Sequence, residues 1–219
     1  MIRRSLLVAA AFALAGLAVA GVQYGSLPAE LPVHWGLSGQ PDAFAPKAYA
    51  ILYAPAVSFL VPALVVGLLT LDPRKAHVER SEAPMSTLLM GLGAFGFALQ
   101  MITLRAAMSP GQTLHGGSVM VLVGLLMAVL GNALPKVRSN WFFGIRTPWT
   151  LQSEAVWHRT HRVGGWTMAL SGLAAAGLGL VAEPATAVVG GVGLLLLGSF
   201  FPVVYSYVVW REVGDTPAS

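Results

Sequence analysis

The stretch Thr186-Ala-Val-Val-Gly-Gly-Val-Gly-Leu-Leu-Leu-Leu-Gly-Ser-Phe-Phe-Pro-Val-Val-Tyr-Ser-Tyr-Val-Val209 runs for 24 residues without a charged side chain. A helix rises about 1.5 Å per residue, so roughly 20 apolar residues cross the hydrocarbon core of a bilayer. This run is long enough to span. Working outward from it, runs of the same kind cover residues 5–25, 49–71, 86–107, 115–134 and 163–182. Composition agrees, with 56% hydrophobic residues, 10% charged residues and a mean hydropathy of +0.71, against about 25% charged in soluble domains. Six spans take up about 120 residues, which leaves no room for a separate soluble domain. The expected fold is all-α: an integral membrane bundle of six transmembrane helices. Pro55, Pro62 and Pro202 fall inside spans, where neighbouring helices re-satisfy the freed carbonyls, so kinks are expected there instead of ends.

The cations set the orientation. With the first residues in the cytoplasm, Arg3, Arg4, Arg74, Lys75, Arg80, Lys136, Arg138, Arg146, Arg159, Arg162 and Arg211 lie inside. Only Lys47 and Arg105 then lie outside, which obeys the positive-inside rule. Both termini are therefore expected in the cytoplasm, with an extracytoplasmic loop at 26–48 and a cytoplasmic loop at 135–162. One structural unit is expected, with an N-terminal half over 1–114 and a C-terminal half over 115–219. The segment Ala18-Val-Ala20 before Gly21 also fits a secretory cleavage site. The apolar run continues through Val22 and Tyr24, longer than the usual signal core of about 7–15 residues, so a retained span is expected. Ser171, Ala175 and Gly179 recur at spacing four, with Gly172 and Ala176 beside them, a pattern for close helix packing or for self-association.

The chain has no cysteine, which excludes disulfides, thiolate-bound zinc, iron–sulfur clusters and thiol nucleophiles. No cofactor is expected.

The outer loop, Leu27-Pro-Ala-Glu-Leu-Pro-Val-His-Trp-Gly-Leu-Ser-Gly-Gln-Pro-Asp-Ala-Phe-Ala-Pro-Lys47, is shaped by its prolines. A short strand is expected over Val33 to Trp35 and a turn over Ser38 to Asp42. Trp35 and Phe44 are expected to fold back on the bundle or to sit at the headgroup level. His34 and Asp42, with His115 on the same side, are the candidate groups here for handling protons or metal, but they lack a ligand-spacing signature. Hydrogen bonds that fasten the loop are the simpler role.

The inner loop runs Gly131-Asn-Ala-Leu-Pro-Lys-Val-Arg-Ser-Asn-Trp-Phe-Phe-Gly-Ile-Arg-Thr-Pro-Trp-Thr-Leu-Gln-Ser-Glu-Ala-Val-Trp-His-Arg-Thr-His-Arg-Val-Gly-Gly165. Glu154 is its one acid, set among five cations and interleaved with tryptophan and phenylalanine. Basic and aromatic residues beside a bilayer suit the headgroup boundary and its anionic lipid. Direct nucleic-acid binding is not expected, since no recognition-helix or sheet pattern accompanies the cations. Thr150 reads as the N-cap of a short cytoplasmic amphipathic helix over 151–161, with Glu154, Trp157, His158 and His161 on one face. The order is not His-Glu-x-x-His and a third ligand is not evident, so packing is favoured over zinc. Within the spans, Gln100, Arg105 and Asn132 are polar groups expected to face protein or water.

At these residues the chain resembles the SdpI-type membrane immunity protein family. The inner match rests on Asn132, Pro135, Lys136, Arg138, Asn140, Phe143, Gly144, Arg146, Thr147, Pro148, Trp149, Glu154, Trp157, His161 and Arg162. The outer match, to the domain of unknown function that often precedes the family signature, rests on Pro32, His34, Trp35, Gly39, Pro41, Asp42 and Lys47. The resemblance implies a multi-pass protein of the bacterial cytoplasmic (inner) membrane. It implies a non-enzymatic immunity and signalling role against a secreted peptide toxin, with an ArsR-like repressor held at the membrane. No catalytic role comes with either set. The reading from another class is a membrane enzyme or transporter acting on lipid-linked or peptide substrates, with Glu154, His158 and His161, or His34 and Asp42, handling protons or metal.

Overall fold

The computed structural model describes residues 2–109 and 117–214. Among these residues, six helices are long and apolar enough to cross a membrane: α1 (Ile2–Gln23), α2 (Lys47–Thr70), α4 (Glu82–Met108), α5 (Ser118–Ala133), α7 (Glu154–Val181) and α8 (Pro184–Gly214). Between them lie two strands, β1 (Glu30–Trp35) and β2 (Pro41–Pro46), and two short helices, α3 (Lys75–Arg80) and α6 (Pro148–Gln152). A single 3-10 turn at Leu134–Lys136 closes α5. Helix α2 passes through Pro55 and Pro62, and α8 passes through Pro202, without ending.

The fifth span differs from expectation. The helix foreseen at 151–161 is not separate. It begins at Glu154, capped by Ser153, and runs on into the span as one 28-residue helix. Thr150 is not its cap; Thr147 caps the preceding short helix α6 instead. Ser153 competes better because its side chain accepts the N–H of Val156 at 3.3 Å, in the extended backbone that a cap requires.

Helices α1, α2 and α4 pack together, α5, α7 and α8 pack together, and α4 against α5 joins the two groups. Small residues allow the close approaches. A side chain at Gly124 would strike the backbone of Gly172 and Ala176, and one at Gly131 would strike the backbone of Gly165 and Ala169. The stripe on α7 is therefore the seam with α5. Ser171 lies off that seam and faces Gly198 of α8. Arg105 is exposed, whereas Gln100 is fully buried beside Gly16 of α1.

The two ends of the bundle carry different structures. At one end an antiparallel hairpin of β1 and β2 pairs Glu30 with Pro46 and Trp35 with Pro41. Its Leu31, with Leu27 of the preceding link, packs in a cluster with Ala20, Ala50, Leu104 and Ala107 from the ends of α1, α2 and α4. At the other end the connector of residues 134–153 meets the α2–α4 connection, where Leu69, Val78, Met85, Val137 and Trp157 form a second cluster. Ala9 meets Gly93 and Gly16 meets Gln100, so α1 runs parallel to α4. The first turn of α1 thus lies at the connector end.

Candidate functional site

The connector is built on the first two turns of α7. Glu154 sits in the first turn, where the helix dipole favours an anion. Trp157 and His161, four apart, share a face and are fully buried. The indole N–H of Trp157 donates to the carbonyl of Val137 at 2.9 Å. His161 stacks on Trp157 with ring centroids 3.8 Å apart. Its Nε2 accepts the backbone N–H of Ile145 at 3.0 Å, and its Nδ1 lies 2.8 Å from the carbonyl of Trp157. An amide only donates and a carbonyl only accepts, so these partners assign the neutral ring with its proton on Nδ1. Neither nitrogen is left for a metal. Gly144 has φ +113° and a Cβ there would collide with Nε2 of His161, so glycine is required.

The connection between α2 and α4 braces the connector from the other half of the molecule. Asp72 is fully buried; its carboxylate accepts the N–H of Arg74 at 2.8 Å and that of Trp141 at 2.7 Å. The Arg74 guanidinium donates to the hydroxyl of Ser139 and, at 2.7 Å, to the carbonyl of Leu151. His77 donates through Nδ1 to the carbonyl of Ser139 at 2.9 Å and presents Nε2 to Glu154 at 3.5 Å. The Ser81 hydroxyl accepts the N–H of Arg138 at 2.9 Å. Asn140 then turns the chain within the connector, its side-chain oxygen accepting from Phe142 at 3.0 Å and Phe143 at 2.7 Å.

A third attachment runs to α8. Thr147 and Thr150 form a reciprocal capping box around α6, with Pro148 in its first turn. Trp149 donates from its indole to the hydroxyl of Ser206 at 2.6 Å and stacks on Trp210 with centroids 5.9 Å apart.

The predicted residues thus divide into a frame and a rim. Asn140, Thr147, Trp157 and His161 are buried, while Asn132, Lys136, Arg138, Arg146, Pro148, Glu154 and Arg162 are exposed. Pro135 packs where a side chain on Gly165 would go, and Phe143 lies half-buried beside Gly144. On the rim, Lys136 donates to Asn132 at 3.3 Å, Arg138 meets His158 at 3.2 Å and Arg146 donates to the carbonyl of Trp141 at 2.6 Å. The expected face of Glu154, His158 and His161 is not one group. Glu154 turns to His77, His158 turns to Arg138, and His161 points into the frame. Asp72, Arg74, His77 and Ser81 escaped the sequence reading, which treated the arginine only as an orientation charge. The one available signal was Asp72-Pro73-Arg74, a turn sequence carrying opposite charges between two spans.

At the hairpin end, His34 and Asp42 pair across the strands at 2.6 Å, in solvent. Gly39 takes φ +72° in the turn. Lys47 closes the base, donating to the carbonyls of Tyr24 at 2.9 Å and Leu27 at 3.1 Å, over the Tyr24 ring. Pro32 and Trp35 fold onto the bundle and line a cavity of about 70 Å³ with Tyr53, Leu99 and Thr103, whereas Phe44 is exposed. His115 lies outside the described residues.

Residues 136–206 match the SdpI/YfhL protein family, and residues 11–59 match a domain of unknown function, DUF1648. The chain is 27% identical to the "Immunity protein SdpI" of Bacillus subtilis (strain 168) over 152 residues, which cover 69% of this chain and 70% of that protein. No solved structure matches the chain. The resemblance read from the two loops is thus met by matches that fall on those loops, all but Asn132 and Pro135 of its residues lying inside them: a DUF1648 match in front and an SdpI/YfhL match behind.

Proposed function

We propose that this multi-pass membrane protein is a non-enzymatic immunity and signalling protein of the bacterial cytoplasmic membrane. It protects the cell from a secreted peptide toxin and holds a cytoplasmic ArsR-like repressor at the membrane while the toxin is engaged. The similarity to an immunity protein over 69% of the chain carries this reading. The hairpin faces outward and the connector faces the cytoplasm, in keeping with the distribution of cations.

The geometry supplies a route between the two faces. The hairpin rests on the ends of α1, α2 and α4. The opposite ends of α2 and α4 carry Asp72, Arg74, His77 and Ser81, which hold the connector. A ligand on the hairpin shifts this path only by binding one arrangement better than the other. The exposed rim of Trp141 and Arg138 is the surface then offered to or withdrawn from the repressor.

Cells expressing the chain are expected to survive a membrane-active secreted peptide that kills matched cells, and equal killing overturns the immunity role. The native absence of cysteine permits a test of orientation. Leu37→Cys and Trp141→Cys, both at exposed positions, are expected to react with an impermeant thiol reagent in intact cells and only after permeabilisation, respectively.

A further inference from the structure

A cleft of about 390 Å³ opens between α5, α7 and α8 at the connector end of the bundle. Its walls are Leu130 and Leu134 of the α5 end, Met168 of α7 and Val203 of α8, with Ile145 lining it from the connector. Among the described residues Arg146 is the one charged side chain on its lining. The cleft is preformed, because the backbone at Ile145 is fixed by its hydrogen bond to the buried His161 and that at Thr147 by the capping box.

We propose that this cleft holds one acyl chain of an anionic phospholipid, with the phosphate headgroup on Arg146. Three of its walls belong to membrane-spanning helices, so the surrounding medium is hydrocarbon, and an apolar cleft there is filled by hydrocarbon and not by water. At its mouth stands an exposed guanidinium whose one protein partner among the described residues is the carbonyl of Trp141, leaving its other donors for a phosphate. Charge complementarity selects an anionic head. The inner loop of residues 131–165 sets five cations against one acid, and that acid, Glu154, turns away to His77. The apolar cleft with a cation at one end matches a chain with an anion at one end. This site does not depend on the immunity reading.

The wild-type protein, reconstituted with an equimolar mixture of phosphatidylglycerol and phosphatidylcholine and released for native mass spectrometry, is expected to retain phosphatidylglycerol about fivefold over phosphatidylcholine, the effect of one cation near an anionic lipid. Arg146→Gln is expected to bring that ratio to about 1 and Arg146→Lys to keep most of it. Val203→Trp, which fills the cleft, is expected to abolish retention of both lipids. Photo-crosslinking of the wild type with phosphatidylglycerol carrying a diazirine on its acyl chain requires no variant to fold. Adducts concentrated on residues 143–147, 168 and 199–203 support the proposal. Adducts spread evenly over all six spans, an undiminished preference in Arg146→Gln, or a lipid-free dimer with the cleft buried at its interface overturn it.

Discussion

The imidazole of His161 lies flat on the indole of Trp157, with centroids 3.8 Å apart and planes inclined by 18°. The same imidazole joins the carbonyl of Trp157 to the amide of Ile145. One side chain thereby fastens a helical span to the stretch 137–147, which is neither helix nor strand. A charged imidazolium would carry a proton on Nε2 and could not accept the Ile145 amide. The arrangement is therefore one of packing and hydrogen bonding, and it makes His161 a structural residue.

Replacing His161 by Ala leaves the half-buried Ile145 amide without this acceptor and removes the stacked ring. A loss of about 3 kcal/mol is expected, read as a lowered unfolding midpoint in detergent micelles. Arg162→Ala, next in the chain but exposed, is expected to stay within about 0.5 kcal/mol of the wild type.

Gly144→Ala forces a left-handed backbone on a residue with a side chain and drives that side chain into His161. Backbone strain alone costs about 1–3 kcal/mol. The expected outcome is a sharp fall in the yield of monodisperse protein on size-exclusion chromatography. Gly67→Ala, where the added carbon meets nothing within 4 Å, is expected to match or exceed the wild type, since alanine favours helix by about 1 kcal/mol.

Asp72 links the halves through the amide of Trp141, and Asp72→Asn removes the charge that strengthens this bond while keeping its shape. Amide exchange across residues 139–143 is expected to accelerate about tenfold, as loss of roughly 1.4 kcal/mol of local stability implies. Unchanged exchange would remove Asp72 from the link and leave the connector held by Arg74, His77 and Ser81.

Gln100 is fully buried between α4 and α1, and neither atom of its amide has a hydrogen-bond partner among the described residues. An amide left unpaired in such a place costs free energy, whereas leucine of similar length does not. Gln100→Leu is expected to be neutral or to stabilise by about 1 kcal/mol in a denaturation titration. A large destabilisation would assign the amide a partner.

Much of this protein was legible in one dimension because the bilayer makes local composition decisive. A run such as 186–209 must be a helix in hydrocarbon, since no water is present to satisfy its backbone. The turn at Gly39 and the strand near Trp35 were likewise local, set by proline and glycine. The start of α7 was not, because Thr150 and Ser153 are both acceptable caps and only the capping box between Thr147 and Thr150 assigns the first of them to α6. The division of the signature into a buried frame and an exposed rim was equally hidden. Asn140 and Arg138 are both polar loop residues in sequence, yet one is buried and the other exposed. That choice depends on partners from distant segments: Asp72 reaches Trp141 across 69 positions and Trp149 reaches Ser206 across 57. Residue types and their order determine which segments enter the membrane, because transfer free energy is nearly a local sum. The meeting of the α2–α4 connection with the connector is decided only in three dimensions, because a hydrogen bond depends on distances that chain separation does not encode.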